Sequence, residues 1–93
     1  MGPAGTAIPR TVGPADDGRV FTMQVGQTAQ LVVLDPHAAD PSVEGDSVEV
    51  IPVFNVTGSG RREWELRAVA PGRTTLAGSG SHRYVITVDV AAQ

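Results

Sequence analysis

From residue 19 onward the chain runs in short stretches of alternating apolar and polar positions. In VFTMQV, 20–25, Phe21, Met23 and Val25 fall on one side and Val20, Thr22 and Gln24 on the other. Successive side chains of a pleated strand point to opposite faces, so a period of two predicts a half-buried strand. After Gly26-Gln27, TAQLVVL, 28–34, is more continuously apolar, which suits a central strand. These two strands are expected to be neighbours joined by a turn. REWELRAV, 62–69, sets Trp64, Leu66 and Ala68 against Glu63, Glu65 and Arg67. RTTLAG, 73–78, predicts a short strand with Leu76 inward, and RYVITVDV, 83–90, places Tyr84, Ile86, Val88 and Val90 on one face. SVEVIPVFNV, 47–56, is strand-like but holds Pro52. Proline cannot donate to a ladder, so it marks an edge, a bulge or a break.

The segments between these runs carry turn chemistry. Pro71-Gly72 fits the centre of a type II turn, in which glycine supplies the positive φ. TGSG, 57–60, and GSGSH, 78–82, read as hairpin turns. DPHAADPSVEGD, 35–46, is the longest irregular stretch; Asp35 before Pro36 is a favourable helix start, predicting one helical turn over PHAAD. No helical period exceeds one turn. The fold class expected is all-β, an immunoglobulin-like antiparallel β-sandwich of about six to seven strands with Trp64 at the centre of its core. Residues 1–18 hold three Pro and four Gly among isolated apolar positions. They are expected to be a flexible N-terminal arm or linker, within which AIPRTV could add an edge strand, and 19–93 to be the sandwich domain.

Composition narrows the function classes. The 93 residues fit one domain, and with a single Trp, a single Tyr and two Phe the core must be built mainly from Val, Leu, Ile and Ala. The absence of cysteine excludes disulfides, thiolate metal sites and thiol nucleophiles. A net charge of −3 gives no basic footprint for nucleic acid. No apolar run approaches the ~18 residues of a membrane helix, and no basic and then apolar leader pattern opens the chain, so membrane insertion of this segment is not expected. All seven basic residues are Arg, a usage associated with GC-rich bacterial genomes.

The order VGQTAQLVVL, a long middle, then WELRAVAPGRTTLAG and RYVITVDV resembles two β-sandwich families across residues 19–91. One is the group-2 bacterial immunoglobulin-like domain; the other is the chagasin-like cysteine protease inhibitor. The inhibitor resemblance implies a wedge of three loops carrying N-P-T-T-G, G-x-G-G and R-P-W or R-P-F motifs. Here Gly58-Ser59-Gly60 matches the first three positions of the second motif, and Arg61 stands where its last Gly should be. The first loop reads DPHAADPS and the third SGSHRY, without a match.

Other candidate chemistry is local. His37 with Asp35 and Asp40 is the one cluster able to assemble a catalytic or metal site nearby, and His82 lies on a different loop. Asp35, Asp40, Glu44, Asp46 and Glu49 form an acidic run without a neighbouring Arg; hard oxygen ligands suit Ca²⁺, but the spacing matches no calcium loop and a solvated acidic loop is the simpler expectation. Arg61, Arg62, Arg67, Arg73 and Arg83 make the other half basic, a distribution that predicts either a dipolar surface or local charge partners. Neither glycine-serine stretch precedes a helix, so phosphate cradling is not indicated.

The reading is a non-catalytic accessory, spacer or protein-binding module of a secreted or cell-envelope bacterial protein, with a chagasin-like cysteine protease inhibitor as the alternative. It has no enzymatic role, no cofactor and no metal. Its partner is a protein or a cell-envelope component, met through a sheet edge or through loops. The loop residues singled out for contact are His37, Asp40, Gly58, Ser59, Gly60 and His82.

Overall fold

A computed structural model describes residues 5–54, 60–79 and 83–92. Nine strands lie in it: β1 Thr6–Ala7, β2 Thr11–Val12, β3 Val20–Gln24, β4 Thr28–Val33, β5 Ser42–Glu44, β6 Val48–Val53, β7 Arg62–Ala68, β8 Gly72–Gly78 and β9 Tyr84–Ala91. They form two sheets, one in the order β1-β3-β9-β8-β5 and the other β2-β4-β7-β6. The chain is therefore an all-β, immunoglobulin-like sandwich. The strands beyond the expected six or seven are β1, β2 and β5, each only two or three residues long. Runs that short cannot display a period.

The alternating patterns place their side chains as the sequence implies. Phe21 and Met23 on β3, Trp64, Leu66 and Ala68 on β7, and Tyr84, Ile86, Val88 and Val90 on β9 are all buried between the sheets. Ala29, Leu31 and Val33 from β4 and Leu76 from β8 join them. Burial of apolar area on this scale is what holds two sheets of extended backbone together.

Connectivity differs from expectation at two turns. β3 and β4 are consecutive but lie in different sheets: β3 pairs in parallel with β9, and β4 pairs antiparallel with β7. The Gly26-Gln27 turn is a bridge between layers, secured by Gly26 N–H donating to Ala68 O at 2.9 Å and Ala68 N–H donating to Gln27 O at 3.0 Å. Pro71-Gly72 also carries the chain from one sheet to the other, and Gly72 adopts the left-handed φ of 140° that requires glycine. Residue patterns report which face a side chain takes, not which strand lies beside it, and so both crossings read as ordinary turns.

The segment expected to be an arm contributes to both layers from Thr6 onward. β1 pairs with β3 and β2 with β4, both in parallel, and Ile8 and Val12 enter the core. Pro9 sits where the chain passes between the sheets, so its missing donor interrupts no ladder.

One buried contact fixes the layers against each other, and a second packs neighbouring strands of one sheet. Ser47 N–H donates to Thr74 Oγ1 at 3.1 Å, and the two hydroxyls lie 2.5 Å apart, joining the start of β6 in one sheet to β8 in the other. Tyr84 stands opposite Gly78, and its ring fills the space a Cβ at Gly78 would occupy. Its hydroxyl is buried with no hydrogen-bond partner among the described residues, and burial pushes its pKa above the ordinary 10.0.

Two outcomes follow. Thr74→Val strands the Ser47 amide and hydroxyl in the core and should cost about 1–3 kcal/mol, read as a lower urea midpoint at unchanged slope. Tyr84 is the sole tyrosine, so phenolate absorbance reports it alone. The folded protein holds its proton more tightly than the unfolded chain. That contribution to stability is complete below the unfolded pKa and is lost as pH rises through the folded one. Native absorbance should titrate above pH 10.0 and stability should fall over the same interval; a native midpoint at or below the free-tyrosine value would contradict the buried hydroxyl.

Candidate functional site

The strand registers gather several connections at one pole. Val33 pairs with Arg62 and Val53 with Glu63, so β4 and β6 both end where β7 begins. In the other sheet Ser42 pairs with Ala77 and Gly78 with Tyr84, so β5 begins beside the end of β8 and the start of β9. Residues 34–41 run from the end of β4 to the start of β5, which shows that both strand ends belong to the same pole. Connections 34–41, 54–61 and 79–83 all start and finish there. Residues 13–19 arrive at the same place, with Gly18 N–H donating to Val85 O at 2.8 Å and Asp17 Oδ1 accepting from Val85 N–H at 2.8 Å.

Segment 34–41 is built by local capping and then tied down. Asp35 Oδ1 accepts the His37 amide at 2.9 Å, and Asp35 O accepts the Ala38 amide at 3.1 Å. These bonds make a turn with Pro36 at its second position, not the helical turn expected. The Asp35-Pro36 pair suits either, and Pro41 stops the chain before a second turn forms. Beyond the turn Asp40 faces β7. Its Oδ1 accepts from Trp64 Nε1 at 3.1 Å and pairs with Arg62 Nη2 at 3.0 Å. Arg62 Nη1 donates to Ala38 O at 2.8 Å, and the guanidinium lies 4.7 Å from the centroid of the Trp64 ring. Pro41 is buried at the end of the segment.

The residues singled out from the sequence separate accordingly. Asp40 is a structural partner of Trp64 and Arg62 and is not turned toward His37. His37 is exposed at the tip of the turn, and its ring has no partner among the described residues. Gly60 is exposed with a φ of 80°. Gly58, Ser59 and His82 lie outside the described residues. Among the described residues no group of three or more His, Asp or Glu could hold a metal ion.

The charges are neutralised locally. Arg61 pairs with Glu63 at 2.7 Å, Arg67 with Glu65 at 3.1 Å, Arg73 with Asp89 at 2.7 Å and Arg19 with Asp16 at 3.7 Å. Asp40 also has its Arg, supplied by a strand more than twenty residues away in sequence. Four of the five arginines of the basic half thus have a carboxylate beside them, and Asp40 of the acidic run reaches across to that half.

Sequence reasoning missed the apolar character of this pole. Leu34, 75% exposed, and Phe54, 87% exposed, open connections 34–41 and 54–61 on either side of β7. Leu34 also borders an open, mainly apolar groove of about 430 Å³ lined by Thr11, Val12, Pro14, Ala15 and Val32. Both residues were read as strand continuations, because the pattern does not reveal where pairing stops.

No protein-family model and no curated protein sequence matches the chain. Solved structures do. The crystal structure of the cysteine protease inhibitor EhICP2 from Entamoeba histolytica superimposes with a TM-score of 0.70 at 12% identity, over 88% of this chain and 94% of that one. The solution structure of Amebosin is similar over 87% of this chain and 96% of its own, with a TM-score of 0.58 at 14% identity. At these identities the likeness shows a shared fold. Nothing in the comparisons supports a specific tie to the group-2 bacterial domain.

Proposed function

We propose that this chain is a non-catalytic protein-binding module that inhibits cysteine proteases with the pole bearing connections 34–41, 54–61 and 79–83. The observation that carries this reading is that the ends of these three connections meet at one pole of the sandwich, with Leu34 and Phe54 exposed at the base of two of them. Large apolar side chains left in water at one end of a small domain mark a surface that another protein covers. The likeness to EhICP2, itself a cysteine protease inhibitor, supplies the class of partner. His37, at the exposed tip of its turn, and Gly60 belong to the contact surface in this reading, as do Gly58, Ser59 and His82 by their place in the sequence.

A second reading, an accessory or spacer module of an exported bacterial protein, is favoured by one observation. The three connections carry only part of the inhibitor motifs: Arg61 replaces a glycine, and neither N-P-T-T-G nor R-P-W is present.

Titration of papain activity with the purified protein separates the two. The inhibitor reading expects inhibition at micromolar protein or below. It expects the double variant Leu34→Ala, Phe54→Ala to weaken inhibition by tenfold or more, on the scale of about 1–2 kcal/mol for each anchoring side chain. Both side chains are exposed, so the unfolding midpoint should barely change. Full papain activity at micromolar wild-type protein removes the inhibitor reading and leaves the spacer.

A further inference from the structure

We propose that Asp40 and Arg62 are positioning residues that latch segment 34–41 onto Trp64, holding it in one binding-ready conformation; the inference rests on that segment forming part of the inhibitory pole. Eight residues separate Val33 from Ser42. Left to themselves they would sample many conformations, and ordering them at the moment of binding would weaken affinity. The side-chain bonds shown between this segment and the sheets end on two neighbouring inward positions of β7. Trp64 donates to Asp40, and Arg62 reaches both Asp40 and Ala38.

The latch draws its strength from the indole. The Asp40 side chain is 66% exposed, and an ion pair in that setting contributes little by itself. Trp64 is 1% exposed, so its N–H has little access to water as a substitute acceptor. Loss of the Asp40 carboxylate either strands that N–H or forces the segment to move until water reaches it. Arg62 is bound into the same event. Its planar guanidinium covers the ring at 4.7 Å while its two terminal nitrogens engage different residues of the segment. A lysine ammonium could offer charge here but not a plane with two fixed donors. The three contacts close a triangle, Asp40 to Trp64, Asp40 to Arg62 and Arg62 to Trp64, so removing one loosens the other two. Leu34 and His37 are displayed by the segment this triangle holds.

The test measures the free protein and the inhibitor separately. In Asp40→Ala, backbone amide order parameters over 35–40 should fall from the rigid range near ~0.85 toward values below ~0.6. Inhibition of papain should weaken about tenfold in the same variant, read at a temperature where it remains folded. Asp40→Asn keeps an acceptor for the indole and should recover most of both properties. Arg62→Lys should loosen the segment, which keeps the latch testable if Asp40→Ala does not fold. Arg73→Gln, which breaks an exposed pair at the opposite pole, should behave as wild type. Wild-type order parameters in both Asp40→Ala and Arg62→Lys, undiminished inhibition by Asp40→Ala, or an equal loss in Arg73→Gln would overturn the latch. Failure of the wild-type protein to inhibit papain would remove the inhibitor reading, while the order parameters would still decide whether the latch exists.

Discussion

The indole of Trp64 imposes the constraint around which this molecule is arranged. Its ring area is needed inside, because a chain with four aromatic residues has few large side chains with which to fill a sandwich. Its N–H cannot be left unpaired there. The acceptor comes from Asp40, on the connection that carries the chain from one sheet to the other. Filling the core and placing that connection are therefore one event, and Arg62 completes it by covering the ring and bonding to the same segment. A buried tryptophan near a sheet's end thus fixes the surface just beyond it.

The sheet edges tell against the other mode of binding expected from the sequence. Three of the four edge strands, β1, β2 and β5, are two or three residues long. The fourth, β6, carries Pro52 opposite Trp64. A proline keeps the ladder to β7 intact only where its missing donor faces away from the partner strand, and there it denies a bond to any strand arriving from outside. Short edges and a proline guard resist strand addition. With edge pairing hindered, the recognition proposed for this chain falls to the pole.

The faces of the long strands were legible in the sequence because alternation is a local consequence of the pleat. Trp64, Leu66 and Ala68, or Tyr84, Ile86, Val88 and Val90, need no knowledge of their neighbours to be assigned inward. The pairing was not legible. A two-residue strand such as Thr6–Ala7 has no period, and the parallel partnership of β3 with β9 joins residues more than sixty positions apart. Site residues divide in the same way. Asp40 stood out as part of a carboxylate and histidine cluster, yet its partners are Trp64 and Arg62, brought up by the antiparallel pairing of β4 with β7. Leu34 and Phe54 were invisible as surface residues, since the same two letters inside a paired strand would be core.

The charge pattern decides what kind of recognition the pole can support. Arg61, Arg62 and Arg19, which lie at or near it, each have a carboxylate within 4 Å, which damps the field that these three send outward. Contact then matters more than their long-range attraction. Among the described residues the pole offers apolar contact through Leu34 and Phe54, with a shallow apolar groove beside Leu34. Apolar contact depends on fit, and fit depends on holding those side chains still. A pole that binds by shape therefore needs a rigid base, and the triangle of Asp40, Arg62 and Trp64 supplies one beneath the connection that begins at Leu34.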